Sequence, residues 1–151
     1  MAATVNGTTF KRPIIKMGQN KGTFSVSTSS HMEFVDITGQ IQQAVTDSGV
    51  SDAVCFVYNP HTTSGLTINE GADPAVQSDL IGVFKQIVPQ NYPYRHQEGN
   101  SPSHMMATLT GSSVTVFIES GRLVLGTWQR IFFCEYDGPR NRKVSWKILK
   151  G

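Results

Sequence analysis

From Thr23 onward apolar and polar positions alternate, with Phe24, Val26 and Thr28 against Ser25, Ser27 and Ser29, which is the period of a strand with one wet face. His31 follows in a link to Phe34-Val35. Asp36 stands where a helix needs a cap, and Ile37, Ile41, Ala44 and Val45 recur at helical spacing until Gly49 ends the helix as its C′ residue. Ala53 to Tyr58 is an unbroken apolar run, too short for a helix and closed by Asn59-Pro60, so it predicts a central, buried strand. A hydroxyl-rich turn beginning at Pro60 leads into a short strand that ends on Asn69 and Glu70. Asp73-Pro74 then marks an N-cap and a first-turn proline, and Val76, Leu80, Val83, Phe84 and Ile87 repeat at helical spacing up to Pro89. This is the most clearly marked element of the chain.

Tyr94 to His104 breaks the pattern. Its eleven residues hold two histidines, an arginine, a carboxylate and two amides, with Gly99 and Pro102 excluding a buried helix or a central strand. Its second half predicts a helix start, with Ser101 as N-cap, Pro102 at the first helical position, His104 in the first turn, and Met105, Met106, Ala107 and Leu109 following until Gly111. Val114, Val116 and Ile118 then alternate with Thr115 and Phe117, and Ser120-Gly121 suits a hairpin turn. Leu123 to Leu125, Arg130 to Tyr136, and the phase Val144, Trp146, Ile148 after a Gly138-Pro139 turn complete a strand-rich C-terminal third. Strands at both ends with helices between predict an α+β fold: a largely antiparallel or mixed β-sheet sandwich with about three helices packed on it.

Composition narrows this further. A chain of 151 residues with 38% hydrophobic and 16% charged residues fits one folded domain over 1–151, with 1–21 partly irregular apart from a possible strand at Pro13 to Met17. The net charge of +2 is spread out except at Arg140, Arg142 and Lys143, which argues against a nucleic-acid partner. The absence of an apolar leader, or of a run of about 18 apolar residues, makes a soluble cytoplasmic protein without membrane attachment the expectation. Cys55 and Cys134 sit in apolar runs without Cys-x-x-Cys spacing and read as buried free thiols.

For chemistry, His61, His96 and His104 fall in loops or helix starts beside polar residues. Neutral imidazoles suit a zinc-like ion, although the spacing from His96 to His104 matches no standard zinc motif and hydrogen-bonded surface histidines explain it equally. Glu70, Asp73 and Glu98 offer carboxylates as hard ligands for Mg²⁺ or as general bases, with Asp73 also explained as a helix cap. Thr62, Thr63 and the helix start after Ser101 provide donors for an anion, Arg95 and Arg122 are placed to clamp a phosphate, and Trp128 can stack on a flat or cationic group. No dinucleotide, Walker, hydrolase-elbow or zincin motif is present. The residues by themselves lead to a polar, anion-binding pocket and name no substrate.

Four blocks in order, Pro60 to Glu70, Tyr94 to His104, Gly121 to Gln129 and Phe133 to Arg140, resemble the YjbQ-like family, also called secondary thiamine-phosphate synthases. The resemblance runs from about Thr23 to Leu149. It implies a small α+β subunit, a homotrimer and a pocket formed by the first three blocks. The matching positions are His61, Thr62, Thr63, Asn69, Glu70, Asp73, Arg95, His96, Glu98, Asn100, His104, Arg122 and Trp128. Ser120 stands where the family commonly has asparagine, and Arg130 where a small residue is usual. The activity implied is a weak thiamine-phosphate synthase reaction on a phosphorylated small molecule: transfer of a pyrimidine-methyl group from its diphosphate to a thiazole phosphate. On this reading His61, Glu70, His96, Glu98, His104 and Arg122 act in catalysis. Thr62, Thr63, Asn69, Asp73, Arg95, Asn100 and Trp128 bind substrate, and His61, His96 and His104 hold a divalent zinc or magnesium ion. Two alternatives stand beside it: a metal-dependent phosphate-ester hydrolase built on the three histidines, and a non-catalytic binder of an anionic metabolite.

Overall fold

The computed structural model describes residues 18–150, and the strand expected at Pro13 to Met17 lies outside the described residues. The chain runs β1 (Lys21–Ser27), β2 (Glu33–Asp36), α1 (Thr38–Ser48), β3 (Ala53–Tyr58), β4 (Ser64–Glu70), α2 (Pro74–Ile87) and α3 (Ser101–Thr110). It closes with β5 (Ser113–Glu119), β6 (Arg122–Leu123), β7 (Gln129–Glu135) and β8 (Asn141–Lys150). Two antiparallel sheets form, ordered β1-β8-β3-β5-β6 and β2-β7-β4. This is the expected α+β fold.

The layers follow from strand parity. Along β7, Ile131 and Phe133 enter one core with Cys55 and Val57 of β3, Val144 and Ile148 of β8, and Ile37, Ile41 and Val45 of the α1 segment. Phe132 and Cys134 face the other way, into a second core with Met106 of α3 and, partly buried, Leu80, Ile81 and Phe84 of α2. Because β7 is covered on both faces, its apolar residues are continuous, as in any strand buried on two sides. Each fully buried Phe or Ile there contributes about 1.5–3 kcal/mol.

Local signals are largely realised. Asp73 caps α2 by accepting the Ala75 N–H, with Pro74 in the first turn. Gly49 ends α1 at φ +69°, and Asp36 accepts the Thr38 N–H although Ile37 is the N-cap. Ser120 and Gly121 both take positive φ in the β5–β6 hairpin, where a serine is more strained than the asparagine that tolerates left-handed backbone.

The structure corrects or extends several of these readings. Phe34-Val35 belongs to a strand, β2, because Cys134 and Phe133 of β7 pair with it. In α3 the N-cap is Asn100 and Ser101 is already helical. β3 is central but buried on one face only: Cys55 and Val57 are inside while Phe56 and Tyr58 are exposed. No residue of α2 is fully buried either, and Val83 and Ile87 face outward.

Candidate functional site

The β3–β4 turn is built on Asn59, which is 1% exposed. Its Oδ1 accepts the His61 N–H (3.1 Å) and the Ser64 hydroxyl (3.2 Å), while its Nδ2 donates to the Ser64 carbonyl (2.7 Å). A buried amide satisfied in this way fixes the turn and places His61, Thr62 and Thr63 at one end of the two sheets. The His61 ring is then held by β8. Lys143 donates its backbone N–H to His61 Nε2 at 2.8 Å, just beyond the point where β3 pairing ends at Tyr58 and Ser145. The imidazole takes the place of the missing strand.

Beneath the turn lies a buried ion pair. Arg142 and Glu135 occupy inward positions on β8 and β7, and neither is appreciably exposed. Arg142 Nε donates to Glu135 Oε2 (2.8 Å), and Nη2 donates to Glu135 Oε1 and to the Thr63 hydroxyl (2.9 Å). Glu135 Oε1 also accepts the N–H groups of Tyr136 and Asp137, and Oε2 accepts the Thr28 hydroxyl. Burial alone would push the Glu135 carboxyl up. The Arg142 hydrogen bonds, the Asp137 N–H, the Arg142 charge and the Thr28 hydroxyl outweigh burial and hold it below its ordinary value. Gly138 is required here, since a Cβ would overlap the Ser30 carbonyl and the Glu135 side chain.

The opposite wall is the start of α3. Ser103 donates to the Tyr136 carbonyl (2.6 Å), His104 Nδ1 lies 3.1 Å from the Thr62 carbonyl, and Tyr136 N–H donates to the Thr63 carbonyl (3.2 Å). Since a carbonyl only accepts, His104 carries its proton on Nδ1 and leaves Nε2 for other partners. Asn100 Nδ2 donates to Asp137 Oδ2 (3.0 Å), and Asp137 in turn pairs with Arg140 at 2.9 Å. Among the described residues Asn100 Oδ1 is buried without a partner.

These walls enclose a polar cavity of about 270 Å³ lined by His61, Thr62, Thr63, Glu98, Asn100 and His104, completed by Asp137, Arg140 and Arg142. Burial and the nearby Arg142 charge lower the His61 pKa from its ordinary value. Arg142 Nη1 has no hydrogen-bond partner among the described residues and is not sealed off, so one edge of a buried guanidinium is open to the cavity.

Residues 22–151 match the family described as UPF0047 protein YjbQ-like. The chain belongs to that family. A UPF0047 protein of Methanocaldococcus jannaschii is 45% identical over 126 residues, 83% of this chain and 91% of that protein. YugU of Bacillus subtilis is 41% identical, covering 84% and 97%. A solved structure of an uncharacterized conserved protein of the YjbQ/UPF0047 family from Clostridium acetobutylicum is 50% identical and superposes with a TM-score of 0.82 over 84% of this chain and 98% of that one.

The YjbQ-like motif positions divide into two groups. Those just described converge on the cavity, with His96 behind them: its ring centre is 5.3 Å from that of His104, and its Nε2 is 3.7 Å from Glu98 Oε2. Arg95 is exposed on the same loop and does not line the cavity. Asn69, Glu70 and Asp73 lie elsewhere. The strand carries Asn69 about 20 Å from Thr63, at roughly 3.3 Å per residue, to an end where Glu70 pairs with Gln129 and Gly71 donates to the Trp128 carbonyl. Arg122, opposite Glu119, and the exposed Trp128 are at that far end too, as is Arg130, whose stem packs against Gly71. Within this chain the first three blocks therefore do not form one pocket.

The metal expectation meets a specific obstacle. Among the described residues no three histidine, cysteine or carboxylate side chains converge to hold one ion. His61 Nε2 has its lone pair committed to Lys143, so the set His61, His96 and His104 does not fit a three-imidazole zinc site in this structure, and no step is derived through one.

Sequence reasoning did not select Glu135, Asp137, Arg140 or Arg142. The signal for two of them was present. Arg142 is in phase with Val144, Trp146 and Ile148, and Glu135 is in phase with Ile131 and Phe133. Charges in the inward phase of two strands are rarely buried unless paired.

Cys55 and Cys134 are free buried thiols, as expected, with burial pushing their pKa values up to about 11 and about 12. Among the described residues no helix is long and apolar enough to cross a membrane.

Proposed function

We propose that this YjbQ-like chain is an enzyme that works on a phosphorylated small molecule in the His61–His104 cavity. The supporting observation is the placement of an unspent edge of the buried Arg142 guanidinium opposite His104 and Glu98 in one polar cavity. Hydrogen bonds to a charged group are the stronger kind, and a donor fixed in advance suits charge that develops on a leaving group.

The reaction we assign is the one implied by the resemblance. The ring nitrogen of a thiazole phosphate attacks the methylene carbon of a pyrimidine-methyl diphosphate, the C–O bond to the diphosphate breaks, and pyrophosphate departs. Arg142 and Arg140 neutralise the departing oxygens. His104, held through Nδ1 on the Thr62 carbonyl, gives a proton from Nε2 to the departing pyrophosphate oxygen, and Glu98 faces the cationic side of the reacting centre.

A cavity of about 270 Å³ takes one phosphorylated end of such a reaction, so further walls are needed. We assign them to the homotrimer. A head-to-tail neighbour would bring the Asn69, Glu70, Asp73, Arg122 and Trp128 end of one subunit to the cavity of the next. It would also cover the exposed Phe56, Tyr58 and Phe117 of the outer sheet face.

Purified full-length protein incubated with both reactants should form thiamine phosphate above a no-protein background. H104Q should lose at least about tenfold in rate while remaining folded. Folded wild-type protein that sediments as the expected trimer and yet forms no product would overturn the assignment.

A further inference from the structure

His61 and Arg142 come from different elements, the β3–β4 turn and β8, and are fixed by different partners. Arg142 is 4% exposed, and Nε and Nη2 are spent on Glu135 and Thr63. Only Nη1 remains, at the cavity wall. His61 is fixed from behind. An N–H group can donate only to a ring nitrogen that carries a lone pair, so the 2.8 Å contact from Lys143 N–H makes Nε2 the acceptor. In the neutral ring the proton must then be on Nδ1, which makes that nitrogen a donor. Protonating Nε2 would set two N–H groups against each other, and burial together with the nearby Arg142 charge works in the same direction. The β8 side of the cavity thus offers two immobile donors, one charged and one neutral. Glu98 lies on the α3 side and repels an anion seated there, while Asp137 is paired with Arg140, which directs the anion toward β8.

We infer that the β8 side of this cavity is an oxyanion subsite, taking a terminal phosphoryl group, in which Arg142 Nη1 and the Nδ1–H of His61, whose Nε2 accepts from Lys143, grip the same group. His61 is then neither an acid–base catalyst nor a metal ligand. It positions substrate, and the substrate enters with its phosphoryl end against β8 and its reacting carbon toward His104 and Glu98. This orientation deepens the functional reading above and rests on it for direction. The subsite itself is testable without turnover.

Two substitutions separate the two sides of the ring. H61Q can still accept from Lys143, because the glutamine carbonyl reaches the position of Nε2, but it loses the donor at Nδ1. H61N offers an amide N–H near the position of Nδ1 and gives up the Lys143 contact. Calorimetric titration of the full chain with inorganic phosphate, pyrophosphate and acetate is the measurement. Pyrophosphate and phosphate should bind, with acetate weaker by at least about tenfold. H61Q should weaken phosphate about tenfold, the size expected for one hydrogen bond to a charged group, and H61N should weaken it less. Long-range ¹H–¹⁵N spectra at pH 7 should show His61 as the Nδ1–H tautomer in wild type, shifting when phosphate is added.

An Nε2–H tautomer, or H61Q binding phosphate as tightly as wild type while H61N does not, would overturn the subsite by showing a purely structural role. Acetate binding as tightly as phosphate would overturn the phosphoryl assignment. Phosphate binding with the expected variant order but no thiamine phosphate formed would leave the subsite standing and remove only the reaction assigned above.

Discussion

The two sides of the cavity are made of similar chemistry and built in opposite ways. On the β8 side Glu135 and Arg142 are sealed inside and hydrogen-bonded to each other, to Thr28, to Thr63 and to backbone N–H groups. On the loop side His96 and Glu98 approach each other at 3.7 Å with side chains 44% and 74% exposed. A buried pair is costly to break but holds a charge in one position, whereas an exposed pair adds little stability and leaves both groups free to move. One side is suited to holding a substrate group and the other to exchanging protons with it.

This contrast breaks first at Glu135. E135A leaves the Arg142 charge buried and unpaired, and should cost about 3–5 kcal/mol of folding stability, read from the urea midpoint. Gly138→Ala comes next: overlap with the Ser30 carbonyl and Glu135 should cost about 1–3 kcal/mol and weaken phosphate binding by shifting the pair. S103A removes the bond to the Tyr136 carbonyl that pins α3, for a loss of about 1 kcal/mol and a lower turnover from the displaced His104. H96Q and E98Q should change stability by no more than about 0.5 kcal/mol while E98Q lowers turnover, a separation that the buried side cannot show.

Acid should act on the β8 side in two stages. His61 has a lowered pKa in the folded chain, so below about pH 6.5 the unfolded chain takes up a proton that the folded one declines, and stability falls as pH falls. Glu135 is also held below its ordinary value of 4.5. Its contribution is complete above that value and is lost as pH falls through the folded pKa. The urea midpoint of wild type should therefore drop in two stages, and H61Q should lack the first.

Much of this was legible in the chain, and what was not has a physical reason. Hydrophobic period located β1, β3, β5, β8 and α2, and turn chemistry located Gly49, Asp73 and the Ser120-Gly121 hairpin. Period does not say what covers a face, so β3 was expected to be buried, while Phe56 and Tyr58 are exposed, and the apolar stripe of α2 leaves Val83 and Ile87 exposed. The candidate site was half legible. His61, Thr62, Thr63, Glu98, Asn100 and His104 were chosen as polar residues in loops, and they do meet. Asn69 and Glu70 lie in the same motif as His61, but seven residues of β4 carry them to the opposite end of the fold. Arg142 was passed over because its neighbours Arg140 and Lys143 made it look like part of a surface charge run, although its strand phase placed it inside.

The most direct test is a crystal structure of the full-length protein with pyrophosphate bound. The account predicts a phosphoryl group on Arg142 Nη1 and His61 Nδ1, with the second phosphoryl group directed toward His104. Pyrophosphate held by Arg122 and Trp128 of a single subunit, with the Arg142 edge empty, would contradict it.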